Sequence, residues 1–138
     1  MISSIVAAML VAVIGFGISS CSGAKARLQA EVDNFNKNEA PMDCGNGVTM
    51  TNCQLNDGSK MLVFNFTFAE PGVEVSDLAP LMGEFKKAMA QGIATEKDGK
   101  KLVELLKEAG YGMEFVIKGS RTGKDVKASF SASEVEGL

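Results

Sequence analysis

The 138-residue chain contains no histidine and no tryptophan, only one tyrosine, and no charged side chain before position 21. Without histidine, the commonest general base and the commonest transition-metal ligand are both missing. A Ser-His or Cys-His nucleophile is therefore excluded. The missing tryptophan and single Tyr111 argue against an aromatic platform for sugars. Cys44 and Cys53 do not stand at zinc-ribbon spacing, and no glycine-rich phosphate loop follows a strand and opens a helix. These absences predict neither a catalytic set, a metal site nor a cofactor. The net charge of −3, from 14 basic and 17 acidic residues, shows no concentrated basic face, which disfavours nucleic acid as a partner.

What is present begins with an apolar run. From Ile5 to Ile18 the sequence IVAAMLVAVIGFGI is apolar or glycine throughout. At 1.5 Å per residue, about fourteen residues span about 21 Å. That is short of a hydrocarbon core about 30 Å thick, and it fits the centre of a secretory signal. Ile18-Ser19-Ser20-Cys21 follows, and it resembles the lipobox of bacterial lipoproteins, in which an aliphatic residue and two small ones precede a cysteine. The resemblance implies a signal peptide over 1–20, acylation of Cys21, and a single lipid-anchored domain over 21–138. The protein would then lie in the bacterial cell envelope, facing the periplasm or the exterior, with a membrane as partner through the lipid on Cys21. Met1-Ile2-Ser3-Ser4 lacks the basic residues usual in such signals, and an uncleaved N-terminal anchor is the other reading.

If Cys21 is lipidated, Cys44 and Cys53 form an even pair in an oxidising compartment. A disulfide would close a loop of about ten residues and stabilise by about 2.5–3 kcal/mol on the loop-entropy account. Two separate thiols are the alternative.

Residues 22–38 read as a helix with Leu28, Val32 and Phe35 on one stripe, ending before Pro41. Residues 44–47 read as a turn-rich linker. Val48–Leu55 and Met61–Phe68 read as strands joined by Asn56-Asp57-Gly58-Ser59, with Asp57-Gly58 supplying positive φ. The first places Val48, Met50 and Asn52 opposite Thr49, Thr51 and Cys53. The second puts Leu62, Phe64, Phe66 and Phe68 on a buried face. Ser76 and Asp77 read as the cap of a helix carrying Leu78, Leu81, Met82, Phe85, Met89 and Ile93. A second helix runs from about Asp98 to Ala109, with Gly110 as its stop. Met113–Lys118 and Val126–Ser131 form a closing hairpin, and 132–138 a short helical turn.

The order α-ββ-αα-ββ predicts an α+β, two-layer sandwich: a four-stranded antiparallel sheet from two hairpins with helices packed on one face. Glu104 and Glu108 are four residues apart, but lie among lysines as a solvated helical face. The expected function is a tethered, non-enzymatic binding or interaction module, with an envelope protein as possible partner. Asn65, Thr67, Ser129 and Ser131 are its candidate contact surface, which is equally a solvated sheet face. The alternative is a small envelope enzyme using carboxylates or a Cys44/Cys53 redox pair.

Overall fold

The computed structural model describes residues 2–14 and 23–138. Helix α1 is Ile2–Ile14, and α2 is Ala24–Asn34, continued by a π-helical turn at Phe35–Glu39. Three strands follow: β1 Met42–Gly45, β2 Val48–Asn56 and β3 Met61–Phe68. A 3-10 segment at Val75–Leu81 leads into α3 Met82–Thr95 and α4 Lys97–Ala109. The chain closes with β4 Gly112–Gly119, β5 Asp125–Phe130 and α5 Ala132–Glu136.

The fold is α+β, with a five-stranded mixed sheet in the order β1-β2-β3-β4-β5. Two points correct the four-stranded antiparallel expectation. First, β3 and β4 pair in parallel, Met61 with Gly112 through Phe68 with Gly119. A parallel pair needs a long crossover, and residues 69–111 supply one containing α3 and α4. Both strands are central, so both bury their core faces: Leu62, Phe64 and Phe66 on β3, Met113, Phe115 and Ile117 on β4. Second, the expected linker at 44–47 contains a strand. β1 pairs with β2 through Met42 and Met50, around a two-residue turn at Asn46-Gly47. Both turn residues have positive φ, 55° and 78°, the geometry that matches strand twist in tight hairpins and favours Asn-Gly.

A bulge at Thr51 shifts the β2 register, so that Met50 faces Phe66 while Asn52 faces Asn65. The extra residue reverses the pattern beyond it. Cys53, expected beside Thr49 and Thr51, instead joins Val48 and Met50 in the core. Its backbone is held from outside the sheet: Asn36 donates to the Cys53 carbonyl at 2.7 Å and accepts from the Cys53 N–H at 3.0 Å. One side-chain amide thus continues the ladder where β1 has ended. In the β2–β3 turn the positive φ falls on Lys60, not Gly58, and the Asn56 side chain accepts from the Ser59 N–H. The crossover is capped by the Asp77 carboxylate on the Glu74 N–H rather than by Ser76.

The core sits on one face of the sheet, where buried side chains of all five helices join it. Phe115 is at its centre, stacked on Phe64 at 5.5 Å between ring centroids and meeting Phe85 and Phe130 edge-on. α3 packs over β5, while α1 packs over β1 and β2. Among the described residues, no helix is long and apolar enough to cross a membrane.

Replacing Phe115 with Ala removes one ring from three aromatic contacts and leaves a cavity between the two hairpins. We expect a loss of about 3–5 kcal/mol in urea unfolding, against less than about 1.5 kcal/mol for a volume-conserving aliphatic exchange elsewhere in the core.

Candidate functional site

The feature with the clearest chemical meaning is the seat under α1. Ile5, Ala8, Met9, Ala12 and Val13 are buried, while Ser4 and Ala7 on the outer side are exposed. The buried positions follow the i, i+3, i+4, i+7 spacing of one helical face. They pack on α3, β1, β2 and α4. Leu10 lies directly over Gly92 of α3, where a Cβ would come within 2.5 Å of its side chain. The missing side chain lets the two helices meet closely. At the start of α1 a pocket of about 340 Å³ continues the seat, lined by Ser4, Ile5, Asn46, Phe68, Pro71 and Val73. The four large residues Ile5, Val6, Met9 and Val13 contribute roughly 1.5–3 kcal/mol each by burial, as an upper bound for a compact unfolded chain.

Cys21 and the rest of Ile18-Ser19-Ser20-Cys21 lie outside the described residues. α2 begins beside a polar anchor. Lys25, at the start of α2, reaches Asp57 in the β2–β3 turn at 3.3 Å, and the Tyr111 hydroxyl donates to the same carboxylate oxygen at 2.6 Å. The hydrogen bond to Asp57, then burial, raises the Tyr111 pKa, and the Tyr111 and Lys25 hydrogen bonds hold the Asp57 carboxyl below its usual range. Tyr111 is only 1% exposed, so it offers no platform to a ligand.

The expected Cys44–Cys53 disulfide is corrected: both thiols are free. Cys44 lies in β1 beside the Val48–Thr49 end of β2, since Asp43 faces Thr49 and Gly45 faces Val48. Cys53 is four or five residues further along β2, about 13–16 Å at 3.3 Å per residue. That far exceeds the roughly 7 Å a disulfide tolerates between Cα atoms. The two thiols do not form a redox pair in this arrangement. Burial raises the pKa of Cys44, and burial together with the charge of Asp33 pushes Cys53 up to about 12.

The proposed contact surface is only partly assembled. Asn65 and Thr67 of β3 and Ser129 of β5 lie on the sheet face opposite the core, separated by Glu114, Val116 and Lys118 of β4. The Asn65 amide donates to the Asn52 side chain at 2.8 Å. Ser131 does not belong to that face; its hydroxyl caps α5 by accepting from the Glu134 N–H. Glu104 and Glu108 are solvated, paired with Lys107 and Arg27 respectively.

Sequence reading missed Glu70. It is 3% exposed with φ of 57°, and its carboxylate gathers two loops. It accepts from the Val75 N–H, from the Arg121 and Thr122 N–H groups, and from the Thr122 hydroxyl, at 2.7–2.9 Å. A Cβ on Gly119 would fall within this carboxylate. Burial alone would raise its pKa, but the four donors outweigh burial and hold it at about 2. The only sequence signal was a glutamate placed between a strand and Pro71.

A solved structure shares this fold. The crystal structure of a candidate secreted protein from Pseudomonas aeruginosa superposes with a TM-score of 0.61 at 7% sequence identity, covering 81% of this chain and 92% of that one. No family model matches the chain, and no curated protein matches it in sequence. At that identity the likeness concerns the fold alone.

Glu70 has a folded pKa near 2 against a usual value near 4.5. Its ionised form therefore stabilises the fold above pH 4.5, and that contribution is lost as pH falls toward 2. Urea midpoints measured between pH 6 and pH 2 should decline less steeply in Glu70→Gln, which also starts lower at pH 6. Parallel declines from the two proteins would contradict the assignment. For the thiols, alkylation without reductant in denaturant should label both Cys44 and Cys53. In the native state at pH 8, Cys53 has only about one thiolate in 10⁴ and should label last.

Proposed function

We propose that this chain is a bacterial lipoprotein: a small domain, held at an envelope membrane by lipid on Cys21, that acts as an interaction module rather than an enzyme. The observation that carries this reading is the position of α1. The helix that fills an apolar seat on the domain is also the segment that the lipobox-like Ile18-Ser19-Ser20-Cys21 sets apart for removal. Processing at Cys21 would anchor the domain and open the apolar seat under α1 in one event. Export is consistent with the likeness to a candidate secreted protein, and with an N-terminal segment that has no charge for a membrane to reject. α2 begins at Ala24, three residues after Cys21, and Lys25 is tied to Asp57. The domain would therefore stand close to the bilayer on a short tether.

The tether is tested by metabolic labelling with palmitate, comparing the wild-type chain with Cys21→Ala. We expect label and a mass shift for the wild type, and neither for the variant, which should retain residues 1–20. Equal labelling of both, or of neither, would reject the lipid anchor.

A further inference from the structure

We propose that the seat occupied by α1 is a receptor for an apolar α-helix of a partner protein, which takes the place of α1 after processing. This inference rests on the lipoprotein reading for the departure of α1, and on geometry for the identity of the occupant.

Three observations specify a helix. The anchors now in the seat, Ile5, Ala8, Met9, Ala12 and Val13, follow the spacing by which an amphipathic helix lies in a groove. They alternate large and small: Ile5 and Met9 fill depth, while Ala8 and Ala12 let the backbone approach. On α3, the missing side chain of Gly92 leaves room for Leu10. A notch that admits a projecting side chain suits a helix better than a featureless hydrocarbon chain.

A pocket also adjoins the seat at one end. The pocket lined by Asn46, Phe68, Pro71 and Val73 lies at the first turn of α1, where Asn46 donates to the Ser4 carbonyl at 3.5 Å. A partner helix in the seat would meet this pocket and the same Asn46 amide. The walls are held by contacts that do not involve α1. β1 is tied to β2 by its ladder, α3 is fixed by Phe85 on Phe115, and Lys86 of α3 pairs with Glu134 of α5.

The test uses the full chain with Cys21→Ala, so that residues 1–20 are retained, and expels α1 by Met9→Asp. A second expelling variant, Ala8→Leu, overpacks the contact without adding charge. The probe is a fluorescent peptide of residues 2–14 with lysine tails, followed by anisotropy in detergent-free buffer, with circular dichroism reporting the fold. We expect at least tenfold tighter binding to the expelled variants than to the parent, where the tethered α1 competes. Adding Gly92→Leu should weaken that binding at least tenfold while the fold is kept. Binding that ignores Gly92→Leu, or no binding by a folded variant, overturns the proposal. So does unfolding of both expelling variants, because the seat would then not outlast α1. Equal displacement of the peptide by palmitate or by phosphatidylglycerol vesicles would assign the seat to lipid instead. Peptide binding without palmitate labelling would reject the tether and keep the seat; labelling without peptide binding would do the reverse.

Discussion

Phe64 and Phe115 face each other across the parallel β3–β4 junction, rings 5.5 Å apart and nearly coplanar in tilt at 11°. This contact joins two antiparallel units into one sheet, because β1-β2-β3 and β4-β5 meet only there. Parallel pairing forces the chain to leave the end of β3 and return to the start of β4 by crossing the sheet face. The crossover carries α3 and α4 across that face, with α3 toward β5. The β1–β2 half then lies beyond the reach of α3. α2 covers part of it, and α1 covers the rest. The seat is thus a direct consequence of the central pairing: a two-helix crossover cannot blanket a five-stranded sheet.

Around this core, three polar side chains fix the margins by supplying hydrogen bonds the backbone lacks. Asn36 replaces a missing strand at Cys53, Asp57 joins α2, the hairpin turn and Tyr111, and Glu70 binds the loop after β3 to the β4–β5 turn. Each reaches a group distant in sequence. Each acts where regular pairing stops and a donor or acceptor would otherwise be left without a partner. Asn46 and Pro71, the neighbour of Glu70, line the 340 Å³ pocket, so these two turns frame the start of the seat.

Periodicity made α4, with its Gly110 stop at φ of 74°, and the β4–β5 hairpin legible from sequence. It also placed Phe64, Phe66, Phe85, Met89 and Phe115 in one core. It failed where one residue changed the phase. Thr51 as a bulge turned Cys53 inward, and no local pattern distinguishes a bulged strand from a regular one. β1 is four residues long and contains aspartate and glycine, so its composition reads as loop; Asn46-Gly47 was the available sign of a hairpin. The parallel junction was illegible for a different reason. Alternation fixes which residues share a face, but not which strand lies alongside another. The same limit hid the seat: the α1 stripe was visible only as an apolar run until α3 and β2 gave it a surface to lie on.

On the lipoprotein reading, α1 would have to suit two environments, a seat on the domain and a bilayer. Seated on the domain, it needs only one apolar face, and most buried helices of this kind carry charges on the other. Among the described side chains of α1, the exposed ones are Ser4 and Ala7, small and uncharged. Small residues expose little apolar area while the helix is seated, and they impose no charge to desolvate if the helix passes into a bilayer. A lysine or glutamate on that face would stabilise the seated form and obstruct export. A leucine would assist export, yet leave an apolar patch on the folded domain. On the lipoprotein reading, Ser4 and Ala7 would let one segment both fill a protein groove and pass into a membrane.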